Sequence, residues 1–208
     1  MLVREIMHPD PVVIGPEKTL DEAYAVMRAK GVRHLPVVEK DRLVGIVTDR
    51  DLRLATSCLS DRPFSPEARL REVMKFPVHT ADPLDPVEVV ARTMRELKIG
   101  CMPVVEDGHP VGIITGIDLL DAMLRLTGVH RPSGRLEVCL EDRPGQLARL
   151  TGLLSERKVN IHSILSYPDE DGQLRIVLRV GSLDTRPLAQ ALCRGGFQVV
   201  WPPHHSCR

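Results

Sequence analysis

One segment occurs twice in the chain, and this internal repeat constrains the fold more than any other feature. Residues 35–52 run from Leu-Pro-Val-Val-Glu to Val-Gly-Ile-Val-Thr-Asp-Arg-Asp-Leu, and residues 102–119 repeat this pattern at a constant offset of 67. Ten of the 18 aligned positions are identical, without a gap. Such regularity predicts two copies of one supersecondary unit, packed together and related by a pseudo-twofold axis.

Composition limits the classes of protein to which these 208 residues can belong. Lys plus Arg equals Asp plus Glu at 28 each, and only 3% of the residues are aromatic. Balanced charge and few aromatic rings disfavour nucleic acid as a partner. No apolar run approaches the ~20 residues of a membrane helix, and the first residues are too charged for a signal peptide. We therefore expect a cytoplasmic protein with no nucleic-acid or membrane partner.

Signals for metal binding and catalysis are weak. The five cysteines are scattered without a Cys-x-x-Cys pair, which predicts buried free thiols and neither a zinc site nor a disulfide framework. His204, His205 and Cys207 could bind a metal together, but a frayed tail is the favoured interpretation. The sequence has no nucleophile elbow, phosphate loop or dinucleotide fingerprint. An enzyme is therefore disfavoured, and we expect no required cofactor and no metal.

Each repeat is predicted to fold as β-α-β-β-α. In the first, residues 12–14 form a short predicted strand, and Thr19 and Glu22 have capping-box spacing at the start of a helix. Two β-branched strands and a second helix follow. In the second repeat, Asp85 is the candidate N-cap and residues 107–108, Asp-Gly, predict a hairpin turn.

The sequence after residue 126 has a different pattern. A stretch rich in Gly, Pro and Ser indicates a linker, and the residues beyond it predict strands and helices in βαββαβ order, the ferredoxin-like arrangement. The fold class expected is α/β (α+β), two repeats followed by a ferredoxin-like domain. The expected boundaries are repeat 1 over 1–58, a loop over 59–69, repeat 2 over 70–126, a linker over 127–134, the third domain over 135–201 and a tail over 202–208.

The polar residues kept in both repeats lie where a strand runs into a helix. Thr48 and Thr115 end strands, and Asp51 and Asp118 follow three residues later, in the first helical turn. A hydroxyl beside helix amides can contact phosphate, and a carboxylate can accept two hydrogen bonds from a ribose diol. The same residues can also serve only as a helix cap. The residues alone leave both interpretations open, although two matched copies favour a pair of ligand clefts.

These motifs resemble those of a known family. Residues 1–126 resemble a tandem pair of CBS domains, a Bateman module, through the first helix, the Leu/Met-Pro-Val-Val strand and the Gly-hydrophobic-x-Thr-x-x-Asp motif. The resemblance implies that the pair binds an adenosine-containing ligand such as AMP, ADP, ATP or S-adenosylmethionine. It also implies that the two threonines face phosphate and the two aspartates face ribose. The further positions that it implies for the adenine slot are Val13, His34, Val78 and Cys101.

The two implied nucleotide sites are not equivalent. Arg50 of the first repeat would offer phosphate a cation, whereas the second repeat has Ile117 at the same place. The resemblance therefore implies unequal sites, and it leaves open whether one or both are filled.

Residues 135–201 resemble an ACT domain, a module that usually senses amino acids. The resemblance depends on the βαββαβ order, on Asp-Arg-Pro-Gly at the first strand–helix turn and on Val-Asn-Ile at the second strand. It implies a ligand at the interface between two ACT domains, with contacts from Asp142, Gly145, Asn160 and Ile161. The alternative is a tight turn without a ligand. The order CBS–CBS–ACT is similar to that of the AcuB proteins, which are associated with acetoin utilisation.

The function predicted from these features is that of a non-catalytic regulatory ligand sensor. An adenosine nucleotide in the CBS pair would control an unidentified client protein, and the ACT domain is a candidate amino-acid sensor. Both resemblances imply side-by-side assembly, so a homodimer is expected. The main alternative is an interaction scaffold with vestigial nucleotide sites. A DNA-linked regulator is disfavoured by the zero net charge and the lack of a helix-turn-helix pattern.

Overall fold

The computed structural model describes residues 1–169 and 172–203. Two units make up the chain, Met1–Ala122 and Met123–Arg208, and each is described by itself. The predicted turn over residues 169–172 is described only at its two ends. The candidate metal ligands His204, His205 and Cys207 lie outside the described residues.

Two β-hairpins with flanking helices form the first unit. Its strands and helices are β1 (His8–Pro9), α1 (Leu20–Lys30), β2 (His34–Glu39), β3 (Arg42–Thr48), α2 (Asp49–Ala55), α3 (Val87–Leu97), β4 (Cys101–Glu106), β5 (His109–Thr115) and α4 (Gly116–Leu126). One sheet contains β1, β5 and β4 in that order, and the other is the hairpin of β2 and β3. Both hairpins are antiparallel and carry a bulge at the same place in the repeat.

Local capping confirms the predicted start of α1. The amide of Glu22 donates to Thr19 Oγ1 at 3.1 Å, and the amide of Thr19 donates to Glu22 Oε2 at 2.8 Å. Gly31 ends the helix with a φ of 66°. The prediction for α3 was wrong, because the helix begins after Pro86 and the carboxylate of Asp85 accepts instead from the amide of Asp82 at 2.8 Å.

The predicted strand over residues 12–14 is not formed. Only Ile14 pairs there, through an isolated parallel bridge to Val37. The pairing strand of this segment is instead β1, which lies four residues earlier and pairs with β5 of the second repeat. Pro11 and Pro9 lack an amide hydrogen, so this stretch cannot extend a regular ladder.

Each repeat contributes its first residues to the core of the other repeat. Val3 is fully buried in the core of the second repeat, with Met94 and Val104. Leu70, which is Val3 plus the offset of 67, is fully buried in the core of the first, with Leu35. The two repeats therefore exchange their N-terminal segments around the pseudo-twofold axis that the sequence predicts.

The second unit has the predicted βαββαβ order. Its elements are β6 (Gly134–Glu141), α5 (Gln146–Glu156), β7 (Ile161–Pro168), β8 (Gln173–Val180), α6 (Arg186–Arg194) and β9 (Gln198–Trp201). The sheet is antiparallel in the order β7-β8-β6-β9. Alternate residues of β6 and β8 are buried with the apolar faces of α5 and α6, including Val138, Leu150, Leu178 and Leu192.

The cysteines only partly follow the prediction of buried free thiols. Cys101 and Cys139 are buried and free, whereas Cys58 is free but exposed. Cys193 is disulfide-bonded, which the sequence did not predict. Within residues 1–169 and 172–203, no helix is long and apolar enough to cross a bilayer. In the same ranges, no three His, Cys, Asp or Glu side chains are grouped as metal ligands.

Candidate functional site

The Thr-x-x-Asp motif of the first repeat forms a reciprocal hydrogen-bonded box. Asp51 Oδ2 accepts from the Thr48 amide at 3.0 Å and from Thr48 Oγ1 at 2.6 Å, and the Asp51 amide donates to Thr48 Oγ1 at 3.1 Å. In the second repeat, Asp118 Oδ2 accepts from the Thr115 amide and from Thr115 Oγ1, each at 2.7 Å. The cap interpretation therefore accounts for both hydroxyls and for one oxygen of each carboxylate.

The second oxygen of each carboxylate contacts a basic side chain from the other repeat. Lys75 Nζ lies 2.9 Å from Asp51 Oδ1, and His8 Nε2 lies 3.0 Å from Asp118 Oδ1. Sequence reasoning missed both contacts. A signal was present, because the offset of 67 that relates the repeats also carries His8 onto Lys75.

Burial and charge around Asp51 shift the titration of two side chains. Burial would raise the pKa of Asp51, but hydrogen bonds from Thr48 and Lys75 outweigh it and hold the pKa below its usual value. Burial, reinforced by the negative charge of Asp51, raises the pKa of Cys101 to about 12, with Lys75 opposing. The Cys101 thiol of the second repeat is therefore close enough to the carboxylate of the first to feel its charge, and it is neutral at physiological pH.

A cleft combines residues of both repeats. It encloses about 870 Å³ including space open to solvent, and its walls come from the N-terminal segment, the end of α1 and the start of β2, with Ile113 and Thr115 opposite. His34, a predicted adenine-slot residue, lines this cleft, and its pKa is lowered by burial and by the charge of Arg33, with Asp49 and Asp51 opposing. The structure thus brings His34 of the first repeat together with Thr115 of the second.

The other predicted nucleotide residues lie at different depths. Val12, rather than Val13, lines the cleft with His34; Val13 lies on a neighbouring cavity of about 630 Å³, beside Val38. Val78 is half-buried, and Arg50 is exposed on the first turn of α2.

The predicted amino-acid contacts of the second unit do not meet within one chain. Asp142 and Gly145 follow β6, whereas Asn160 and Ile161 open β7. Strands β6 and β7 both pair antiparallel with β8, so they run parallel to each other and these residues lie at opposite ends of the sheet. A ligand that contacts both sets would need a second copy of the domain.

A polar pocket lies beside the first strand–helix turn of this unit. It encloses about 530 Å³, and its lining includes Arg143, Gln146, Arg149, Gln173 and Gln198. Arg143 pairs with Glu141 at 2.6 Å, and the Arg149 guanidinium lies 5.1 Å from the ring centre of Phe197. The pocket offers amide and guanidinium donors close to the backbone of the predicted Asp142–Gly145 loop.

Family models match both units. The CBS domain model matches residues 3–57 and 70–125, which together are more than half of the chain. The chain belongs to the CBS-domain family. The ACT domain model matches residues 134–194, so a tandem CBS pair is followed by an ACT domain.

Similar proteins share the CBS pair. A CBS domain-containing protein of Dictyostelium discoideum is 35% identical over 139 residues, which cover 61% of this chain and 93% of that protein. A structure assigned as an acetoin utilization protein (AcuB) from Vibrio cholerae is 34% identical with a TM-score of 0.54, and the match covers 62% of this chain and 94% of that one.

A third similar protein has a solved structure with adenosine ligands bound. The CBS domain pair of a protein in complex with 5′-methylthioadenosine and S-adenosyl-L-methionine is 30% identical with a TM-score of 0.53, covering 59% of this chain and 95% of that one. The chain also matches homoserine O-acetyltransferases, but it spans only about a quarter of their length.

Proposed function

We propose that this protein is a non-catalytic sensor whose CBS pair binds an adenosine-containing ligand such as AMP, ADP, ATP or S-adenosylmethionine and thereby regulates a client protein. The supporting observation is the matched pair of buried carboxylates. Asp51 and Asp118 occupy equivalent positions, are held rigidly by their own threonines, and each keep one oxygen directed away from the cap. A carboxylate oxygen held in this way is the acceptor that a ribose diol requires.

The cleft supplies the other half of an adenosine site. Between Val12 and His34 of the first repeat and Ile113 and Thr115 of the second, apolar walls and backbone groups surround a space large enough for a nucleoside. His34 is half-buried and held toward its neutral form, which suits a wall for a flat, uncharged base. The complex with S-adenosyl-L-methionine and 5′-methylthioadenosine supports the same ligand class.

Phosphate recognition would require the threonine hydroxyls to change their partners. Thr48 Oγ1 and Thr115 Oγ1 each donate to their aspartate, so neither hydrogen points toward an incoming anion. Each hydroxyl group can donate its hydrogen to phosphate only after it rotates away from the aspartate. Arg50, by contrast, is already exposed beside the first site. We therefore expect the nucleoside to provide most of the affinity, and phosphates to discriminate between the two sites.

The regulatory step follows from the exchanged segments. A ligand in the cleft contacts residues of both repeats, so binding favours one relative arrangement of the two. A client protein that binds one arrangement more tightly is therefore coupled to the nucleotide. The nucleotide changes the affinity for the client, and the client changes the affinity for the nucleotide by the same factor, typically about 5–150-fold.

The ACT domain is the proposed second sensor. Its predicted contacts lie at opposite ends of one sheet, so an amino-acid site built from them requires a homodimer. The similarity to an AcuB structure supports a client in acetoin-type metabolism. The location that we propose for the protein is the cytoplasm. Sedimentation of the purified chain tests the dimer, which predicts twice the mass of 23.2 kDa.

Calorimetric titration tests the proposal. AMP, ATP and S-adenosylmethionine are titrated separately into nucleotide-stripped protein and into the Asp51→Ala/Asp118→Ala variant. We expect micromolar binding of at least one ligand by the wild type and its loss in the variant. An Asp49→Ala variant, which removes a neighbouring carboxylate outside the cap, should bind like the wild type. Binding that survives the double substitution would contradict the proposed site.

One observation favours a second candidate, an interaction scaffold with vestigial sites. Both carboxylates are fully bonded within the protein, by threonine at Oδ2 and by a cation at Oδ1, so the motif is satisfied by its structural role. A scaffold predicts that no adenosine ligand raises the melting temperature, whereas a sensor with ligand at 100 times its Kd gains about 2.7 kcal/mol.

A further inference from the structure

His8 and Lys75 are equivalent residues on the two exchanged segments. His8 pairs through its backbone with Ile113, and Lys75 bridges Ile46, which is the same position in the other repeat. Each residue therefore lies against a strand of the opposite repeat, two residues before the threonine that precedes the helix carrying the aspartate. The two contacts with Asp118 and Asp51 result from the fold and occur in the same way twice.

Close packing holds both segments in place. A Cβ at Gly112 would meet Met7 Sδ at 2.6 Å, and a Cβ at Gly45 would meet Met74 Sδ at 2.5 Å. Each methionine directly precedes one of the two cations and fills the space that the glycine leaves. This packing and the backbone pairing hold the main chain at His8 and Lys75 against the opposite repeat, while their side chains extend into solvent.

The two partners in each ion pair differ strongly in exposure. The side chains of His8 and Lys75 are 69% and 68% exposed, whereas those of Asp118 and Asp51 are 8% and 11% exposed. Exposed ion pairs are weak because water and salt screen them. When another donor reaches Oδ1, the cation can turn into solvent, whereas the carboxylate is kept in place by its threonine.

We propose that His8 and Lys75 compete with the ribose for the two carboxylates, and that the adenosine site at Asp118, beside His8, therefore binds more weakly as the pH falls, whereas the site at Asp51, beside Lys75, does not respond. This inference depends on the proposed function. Histidine changes its charge between about pH 5 and 8, whereas lysine stays charged throughout. A charged donor bonds a carboxylate about twice as strongly as a neutral one, so protonation of His8 strengthens the competitor.

Other charged groups face the same cleft and must be separated from His8. Asp10, Arg33 and His34 line the cleft with His8, and Asp118 contacts His8 directly. His34 is the one alternative histidine among the residues that line this cleft, and burial lowers its pKa. A variant at His34 is therefore the required control.

Calorimetry with adenosine tests the inference, because an uncharged probe removes any titration of phosphate. Asp51→Ala leaves the adenosine site at Asp118, beside His8, and Asp118→Ala leaves the site at Asp51, beside Lys75. Between about pH 8 and pH 6 we expect the Kd of Asp51→Ala to rise about two- to fivefold, the range that an exposed ion pair allows. The Kd of Asp118→Ala should stay unchanged.

Exchanging the two cations provides matched controls. His8→Lys in the Asp51→Ala background should remove the pH response, and Lys75→His in the Asp118→Ala background should create one. His34→Gln in the Asp51→Ala background should keep the response. A response that survives His8→Lys, or a Kd that becomes independent of pH in a His34→Gln variant that still binds adenosine, would overturn the inference while leaving nucleotide binding intact. Lack of adenosine binding by the wild type at both pH values would instead overturn the proposed function, and the inference with it.

Discussion

The stability of the first CBS repeat should depend on Asp51 even without a nucleotide. Asp51→Ala removes two hydrogen bonds from Thr48, at 2.6 and 3.0 Å, and the contact with Lys75 at 2.9 Å. Loss of a helix cap typically costs about 1 kcal/mol, and an exposed ion pair contributes at most about 1 kcal/mol. The desolvation of the carboxylate opposes both. We therefore expect a net loss of about 1–2 kcal/mol.

Thermal and urea unfolding measure this loss. For a unit of this size, 1–2 kcal/mol corresponds to a fall in Tm of about 3–8 °C. Asp49→Ala is a suitable control, because Asp49 lies on the same helical turn and makes only a 3.5 Å contact with Arg53. Its expected loss is at most about 0.5 kcal/mol.

The pH dependence of this stability loss tests whether the ionised carboxylate of Asp51 causes it. The pKa of Asp51 is lower in the folded protein than in the unfolded chain, so its stabilisation is fully present above the unfolded pKa of about 3.9. It is lost as the pH falls through the lower, folded pKa. The difference in unfolding free energy between wild type and Asp51→Ala should thus be constant from neutral pH to about pH 5 and shrink below about pH 4. A difference that persists unchanged in acid, or none at neutral pH, would refute this reasoning.

Urea unfolding of three further variants tests the packing of the two units. Leu35→Ala empties a fully buried position in the first repeat and should cost about 2–5 kcal/mol, whereas Leu59→Ala, at a position that is 92% exposed, should change stability by less than about 0.5 kcal/mol. Equal losses would contradict the assigned core. Gly134→Ala places a methyl group against Ser182 O and Thr185 Cγ2 and should cost the ACT domain about 1–3 kcal/mol, with the CBS-pair transition unchanged.

Local patterns predicted most of the secondary structure. The capping box of Thr19 and Glu22, the Asp107-Gly108 turn and the alternation along the ACT strands each specify their own element within a few residues. All three are present in the structure. A local rule failed where one residue could serve two purposes. Asp85 has the spacing of a helix cap, but its carboxylate accepts a hydrogen bond from the Asp82 amide in the turn before α3.

Contacts between distant segments could not be predicted from local patterns. The burial of Val3 and Leu70 in each other's repeats depends on which chain end covers which hairpin, and no periodicity in the sequence encodes that choice. The same exchange brings His8 to Asp118 and Lys75 to Asp51. The repeat offset relates the two cations to each other, but it does not indicate that each contacts the opposite repeat.

The sequence also predicted one ligand site from residues that lie far apart within a single chain. Asp142 and Asn160 were predicted as ligand contacts from the resemblance to ACT domains, whose ligand sites form between two copies. The strand order places the two residues at opposite ends of one sheet. By contrast, His34 and Thr115 come from different repeats and meet in one cleft. Motif positions alone therefore indicate which residues matter, whereas their partners depend on topology.

A crystal structure of the protein with AMP bound would test the central claim most directly, because it shows which residues of which repeat hold the ligand. We expect the base between Val12 and His34 of the first repeat, opposite Thr115 of the second, or at the equivalent position beside Cys101. At either position, the ribose should contact the Oδ1 atom of Asp118 or Asp51, with the neighbouring cation displaced. AMP held by one repeat alone, or a ribose that contacts neither aspartate, would contradict it.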